Sequence, residues 1–174
     1  MLCFEEFQSL ANFLGVEKPN VFVDEQWKRP CVETSAGKQL CGLVSISKYL
    51  TDKSHQRSLL GTNIEESSLI NQWLEYRTVY INQVHQKSDM VRVLEDLDLV
   101  LQKKVYFVGN RLTLADISIY YGLHRIFVSL TFQEKEKYLH LSRWFNQVQH
   151  VPEVRQTLPV VVFSKSRLYK TTTL

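Results

Sequence analysis

The sequence predicts an α+β protein in which a small mixed segment precedes an all-helical one. Three observations carry this prediction. The strands that the sequence predicts all lie within the first 51 of the 174 residues. From residue 64 to residue 158, apolar side chains recur at the three- and four-residue spacing of helices. Between residues 112 and 122 the chain carries a nearly complete signal for the start of a buried helix.

The N-terminal elements are those of a small sheet with helices packed on it. Apolar side chains at helical spacing predict the first helix, which ends before Gly15. The predicted order is a helix over 4–14, a strand at 21–23, a β-hairpin entered through Pro30, a short helix over 43–51 and a polar linker over 52–63. Residues 1–51 are therefore expected to form one small domain.

The rest of the chain reads as a helical domain over 64–158, followed by a basic tail over 159–174. The first long helix starts at residue 64, after Thr62 or Asn63 as its cap. The later helices are expected at about 89–103, from 114 onward, and at 133–140, 142–150 and 153–158. Pro152 separates the last two.

The helix after residue 113 has a predicted capping box. The Thr113 hydroxyl can accept the N–H of Asp116, while the Asp116 carboxylate reaches back to the N–H of Thr113. Leu112 and Ile117 have the spacing of a hydrophobic staple around this box. Because the helix that follows is apolar on nearly every side, it should be buried. Its first N–H groups then have no water to bind, so the box is interpreted as structural rather than catalytic.

Composition excludes several function classes. The chain has 44% hydrophobic residues and no apolar run long enough for a transmembrane helix. Its acidic start lacks the basic region of a signal peptide, so a cytosolic protein is expected. Residues 1–158 carry as many acidic as basic side chains, and the net charge of +3 comes from the tail. No strong field therefore attracts nucleic acid to the folded part.

The three cysteines, Cys3, Cys31 and Cys41, do not look like a disulfide framework. If the hairpin turns near Ala36 and Gly37, the numbers of paired positions sum to 73. Cys31 and Cys41 would then point to opposite faces of the hairpin. The sequence therefore predicts no disulfide between them.

The order of these elements resembles the glutathione-transferase-like proteins, in which a small thioredoxin-like domain precedes an all-helical domain. In that family the proline before the hairpin is cis, and the helical domain contains a buried Thr-x-x-Asp capping box. Pro30, the Ile46–Leu50 segment and the Thr113–Asp116 box fall at the matching places, and the resemblance covers about residues 20–158. It implies a reduced thioredoxin-like domain followed by a transferase-like helical domain.

Several longer runs are similar to one branch of this family, the scaffold proteins of the cytosolic multi-aminoacyl-tRNA-synthetase complex. The runs are 72–77, 104–106, 120–125, 133–139, 142–145, 162–163 and 167–169. This resemblance implies a non-catalytic scaffold without a cofactor, located in the cytosol and also in the nucleus. It implies methionyl-tRNA synthetase, glutamyl-prolyl-tRNA synthetase and other subunits of the complex as partners, and a link to DNA-damage signalling.

The groups that would bind glutathione are missing from the sequence. An active transferase needs a hydroxyl or thiol at the end of its first strand to stabilise the glutathione thiolate. Here the chain opens with a helix, and the early candidates Cys3 and Ser9 both lie in it. The family also places an acid and a serine at the start of the helix after the hairpin, where this chain has Gly42 and Leu43. We therefore predict that the protein is not an enzyme.

Two other readings stay open. A divergent glutathione transferase would keep the fold and the reaction, and an elongation-factor accessory or tRNA-binding module would use the basic residues of the tail. The five histidines show no zinc-binding spacing, so no metal site is expected. His124, on the buried helix, is expected to be a hydrogen-bonded core residue.

Arg143 is the candidate partner-binding residue. It is predicted to open a helix, where a cation opposes the helix macrodipole, so its presence suggests a use such as pairing with a partner's carboxylate. A plain surface arginine explains the position equally well from the residues alone. The resemblance favours an interface, because synthetase-associated transferase-like domains pair through this helix and its preceding loop. A second interface is expected on the helix at 43–51 and the helix starting at 64.

Overall fold

The computed structural model describes residues 2–26 and 28–163, apart from the side chains of Leu2 and Cys3. A three-stranded antiparallel sheet and a larger set of helices confirm the α+β prediction. The elements are α1 (Leu2–Leu14), β1 (Val21–Val23), β2 (Pro30–Glu33), β3 (Gln39–Cys41), α2 (Leu43–Lys53), α3 (Ile64–Val79), α4 (Lys87–Leu101), α5 (Leu114–Ser129), α6 (Phe132–Lys137), α7 (Leu139–Gln149) and α8 (Pro152–Arg155). No described helix is both long and apolar enough to cross a membrane.

Helix α5 is the centre of the core. It packs against α3 and α7, and the side chains of Leu114, Ile117 and Tyr120 are fully buried. The same hydrophobic cluster reaches from Phe7 of α1 to Phe145 of α7. The small N-terminal part and the helical part therefore share one continuous core.

The segment between the two parts is partly ordered by packing. Helix α2 runs to Lys53, and a 3₁₀ helix at Arg57–Leu60 buries Leu59. Asn63 caps α3 by accepting the N–H of Glu66 at 2.8 Å. Residues 164–174, which hold the charges of the predicted basic tail and the 167–169 run, lie outside the described residues.

The hairpin differs from the prediction by one residue of register. Cys31 pairs with Cys41 and Glu33 with Gln39, so paired numbers sum to 72 rather than 73. Gly37 adopts a left-handed conformation with φ of 71°, which closes a three-residue loop between Thr34 and Lys38. Because the side-chain period of a strand is two, this shift turns both cysteines to the same face.

The prediction that Cys31 and Cys41 do not bond was therefore wrong. Their Cα atoms lie 4.1 Å apart, and the two sulfurs form a disulfide across the hairpin. Cys31 is fully buried while Cys41 is exposed. The bond joins β2 to β3 immediately before α2 begins.

Pro30 also differs from what the resemblance implied. The described residues contain no cis peptide bond, so the Arg29–Pro30 bond is trans. Pro30 is the first residue of β2 and faces Val23 of β1, a position where a strand tolerates a missing N–H. Its carbonyl accepts the N–H of Gly42 at 2.8 Å, which ties β2 to the start of α2.

Candidate functional site

The start of α2 is where a glutathione transferase would hold its ligand. Gly42 is the N-cap residue, with φ of 91° and no side chain to offer a hydrogen bond. Leu43 follows it with a buried side chain. Neither residue at the start of α2 therefore offers the acid or the serine that the transferase family places there.

The first element that the structure describes is not the strand that would carry the other half of such a site. The described residues begin with helix α1 and not with a strand, and both Cys3 and Ser9 lie within α1. Within residues 2–26 and 28–163, no group of three metal-ligating side chains comes together. His124 is buried, and its Nε2 lies 2.9 Å from the carbonyl oxygen of Pro159, so it is the hydrogen-bonded core histidine that was predicted.

The Thr113–Asp116 capping box is present at the start of α5. Asp116 Oδ2 accepts the N–H of Thr113 at 3.0 Å and its hydroxyl at 2.7 Å. Asp116 Oδ1 accepts the N–H of Phe107 at 3.0 Å and the indole N–H of Trp144 at 3.0 Å. Burial raises the pKa of Asp116, and these four hydrogen bonds oppose the rise. The residue joins the α4–α5 loop, α5 and α7, and it has no access to a substrate.

Arg143 lies in a different local environment from the one predicted. It is the fifth residue of α7 rather than the first, and its Nη2 donates to the carbonyls of Leu101 at 3.0 Å and Lys104 at 2.8 Å. Leu101 is the last residue of α4 and Lys104 lies three residues beyond it, so the guanidinium is at the helix C-terminus, where the macrodipole favours a cation. The unfavourable placement inferred from sequence therefore does not exist, and Arg143 as a partner-binding residue stays a prediction.

A cleft lies between α4 and the junction of α6 and α7. It is lined by apolar and charged side chains, including Leu99, Asp98 and Lys137. Leu99 is 70% exposed, and Leu139, between two residues that line the cleft, is 66% exposed. Asp98 accepts the N–H of Leu141 at 2.8 Å, so it caps the start of α7. Its carboxylate also places a negative charge in the cleft.

A buried ion pair, for which the sequence gives no direct signal, links the N-terminal part to the helical part. Arg77 of α3 is 3% exposed, and its Nη2 donates to Glu6 of α1 at 2.6 Å. Its Nε donates to the carbonyl of Ser118 on α5 at 2.9 Å, and Nη1 donates to Asn82. Gly122 was the available signal, because a Cβ at this position in the buried helix would collide with the Arg77 side chain.

Comparison with known proteins decides the family. The chain is 44% identical over 170 residues to human eukaryotic translation elongation factor 1 epsilon-1, which covers 97% of this chain and 98% of the human protein. This chain belongs to the elongation factor 1 epsilon family. The mouse protein of the same name is 42% identical over the same length. The family model for the nuclear-export cofactor Arc1p matches residues 66–152.

Members of the elongation factor 1 epsilon family are not the only similar proteins. The bifunctional glutamate/proline–tRNA ligase of Cricetulus griseus is 30% identical over 122 residues, which are 70% of this chain and 8% of that enzyme. Among solved structures, a delta-class glutathione transferase of Nilaparvata lugens superposes with a TM-score of 0.70 at 18% identity, covering 88% of each chain. A glutathione-bound theta-class transferase of Xanthomonas axonopodis pv. citri gives 0.70 at 16% identity, covering 89% and 90%. These structures confirm the transferase-like fold.

Proposed function

We propose that this protein is a non-catalytic scaffold subunit of the multi-aminoacyl-tRNA-synthetase complex. Its partners would be the transferase-like domains of methionyl-tRNA synthetase and glutamyl-prolyl-tRNA synthetase. Two relationships support the proposal. The chain matches elongation factor 1 epsilon-1 along nearly its whole length, and 70% of it is similar to a small segment of a glutamate/proline–tRNA ligase.

The observation that carries the proposal is a transferase-like fold whose glutathione-binding position has no polar side chain. Gly42 and the buried Leu43 occupy the helix start, where backbone N–H groups could meet a ligand carboxylate but no side-chain donor adds to them. The buried core around Asp116 is meanwhile complete. The residues that build the fold are therefore present, and those for glutathione chemistry are replaced.

The first docking face would be the surface around Arg143 and the α4–α7 cleft. In the described part of the chain, both hydrogen bonds of Arg143 come from Nη2, so Nε and Nη1 are available for a partner's carboxylate. The guanidinium is held in place by the end of α4, which lowers the entropy lost on binding. Leu99 and Leu139 would supply the apolar contact next to this charge.

The second docking face would combine α2 with the start of α3. Ile64 is 82% exposed and Leu69 is 43% exposed on α3. In this proposal a partner would cover both side chains and bury their apolar surface. Two separate faces would let one chain hold two synthetases at once.

The test is co-purification of the tagged full-length chain, with bound proteins identified by mass spectrometry. Arg143→Ala should lose one synthetase and retain the other. Arg125→Ala, an exposed arginine on α5, is the matched control and should retain both. Thermal unfolding of each variant separates loss of an interface from loss of the fold. Recovery of no synthetase by the unmodified chain at low salt would refute the proposal.

Two alternatives are tested by the same preparation. Structural similarity to glutathione-bound transferases favours a divergent transferase as the second candidate, and retention on glutathione resin or thiol conjugation by the pure protein would support it. A tRNA-binding module would instead show salt-dependent tRNA binding that is lost when residues 159–174 are removed.

We also propose that the protein occupies both the cytosol and the nucleus, and that it takes part in DNA-damage signalling. Localisation of the fluorescently tagged chain before and after DNA damage tests both statements. An unchanged, purely cytosolic distribution after damage would contradict the nuclear role.

A further inference from the structure

Residues 159–163 cross the helical domain in a groove formed by α5, α6 and α7. The groove is made by side chains of all three helices, and we call it the Gln149 groove: His124 and Phe127 of α5, Lys135 of α6, and Phe145 and Gln149 of α7. The five residues that fill it are Pro-Val-Val-Val-Phe. Among the described residues, no backbone hydrogen bond to another element holds this segment, and side chains of the groove hold it instead.

The groove binds the main chain of the segment at four atoms. Gln149 accepts the N–H of Val161 at 2.9 Å and donates to the carbonyl of Val161 at 2.9 Å. His124 Nε2 lies 2.9 Å from the carbonyl oxygen of Pro159, and Lys135 donates to the carbonyl of Val162 at 3.3 Å. Contacts to backbone atoms bind an extended peptide with little dependence on its sequence.

Two side chains of the segment supply selectivity. Val161 is 4% exposed, whereas Val160 and Val162 are 54% and 64% exposed, the alternation of an extended peptide. The Phe163 ring packs 5.7 Å from Phe127 and 5.9 Å from Phe145. The groove therefore accepts a small branched residue and, two positions later, an aromatic one, and it leaves the positions between them open.

We propose that the Gln149 groove is a peptide-binding site that residues 159–163 occupy as a built-in ligand. Its external ligand is an extended apolar segment of a partner protein with a branched residue two positions before an aromatic one. Such a segment would displace residues 159–163 by making the same contacts. This site is separate from the docking faces around Arg143 and α2, and it does not depend on them.

The hydrogen bonds of Gln149 favour an occupant that makes the same contacts. With the segment in place the Gln149 side chain is 1% exposed, and its amide forms two hydrogen bonds with Val161. If the segment left, water would replace these partners, so a peptide that offers the same N–H and carbonyl competes with water and with the segment. Release of the segment would uncover Val161 and the Phe163 ring, but it would break no hydrogen bond within a described helix or the sheet.

The test uses the full-length chain and a fluorescent peptide of sequence Leu-Pro-Val-Val-Val-Phe, followed by anisotropy. The variant Val161→Asp with Phe163→Asp should displace the built-in segment and expose the groove. The matched control, Val160→Asp with Val162→Asp, adds the same charge at exposed positions. Because a tethered segment competes at an effective concentration of about millimolar, the first variant should bind the peptide at least about tenfold more tightly than the control or the unmodified chain.

A second peptide isolates the Gln149 contact. N-methylation of its middle valine removes the N–H that Gln149 accepts, and affinity for the exposed groove should fall about tenfold. In the unmodified chain, excess peptide should raise the hydrogen-exchange rate of residues 159–163, a readout that needs no variant to fold. The proposal is overturned if the folded first variant binds no better than the control, if the methylated peptide binds equally well, or if excess peptide leaves exchange unchanged. Dimerisation of the control through exchanged segments would assign the groove to a second copy of this chain and would also overturn it.

Discussion

The buried carboxylate of Asp116 allows a quantitative test of how this helical domain is held together. Asp116→Ala would leave three buried N–H groups without an acceptor: those of Thr113, Phe107 and the Trp144 indole. At about 1–2 kcal/mol each, these losses amount to about 3–6 kcal/mol. Removing a buried charge returns part of this cost. We expect a net loss of about 3 kcal/mol, which for a chain of this size lowers the melting temperature by about 6–12 °C.

Chemical denaturation followed by circular dichroism measures the loss, and the chain contains its own control. Thr131 and Glu134 form a second capping box on α6, with the N–H of Thr131 2.9 Å from the Glu134 carboxylate. That box is solvent-exposed, so in Glu134→Ala water can accept the hydrogen bonds that the carboxylate accepted. The loss in free energy of unfolding should therefore be far smaller than for Asp116→Ala. Asp116→Asn should fall between the two, because its amide keeps one acceptor oxygen. An Asp116→Ala variant as stable as Glu134→Ala would refute the reasoning.

Three further predictions follow from other contacts. Gly122→Ala should destabilise the protein by about 1–3 kcal/mol, because the new methyl group collides with the Arg77 side chain; denaturation midpoints with m-values measure this. Reduction of the Cys31–Cys41 disulfide, or Cys41→Ser, should cost about 2–3 kcal/mol on the chain-entropy estimate for a short loop, and an unchanged unfolding midpoint with and without reductant would contradict the pairing. Hydrogen bonds from its cap residue hold the pKa of Glu134 below its usual range, so its stabilising effect is present at neutral pH and is lost as pH falls through that lowered pKa; carboxyl NMR titration should show Glu134 titrating below an unperturbed glutamate.

The helices of the helical domain could be predicted from the sequence because their signals come from residues close together in the chain. Apolar spacing located α3, α4 and α5, and the Thr113–Asp116 pair located the start of the most buried helix. The missing donors at Gly42 and Leu43 were also visible in the residues. These features depend on neighbours in sequence, which is why residue types alone revealed them.

Contacts between elements that are far apart in the chain could not be predicted from the sequence. The hairpin register turned on a single left-handed residue, Gly37, and an error of one position reversed the faces of both cysteines. Arg143 was placed correctly in a helix near its start, but the end of α4 that it contacts is some forty residues away in the chain. A favourable contact with one helix end therefore looked like an unfavourable contact with another.

The ion pair between Glu6 and Arg77 changes what the boundary between the two halves means. A chain cut within 52–63 would place Glu6 and Arg77 on different fragments and break their ion pair. It would also expose Phe7 and Leu10 of α1 to water, because these side chains belong to the core that both parts share. The two parts are therefore expected to fold together, although they differ in architecture. A truncation placed at this boundary to map a binding face would measure unfolding. Point substitutions in the intact chain are needed to assign either face.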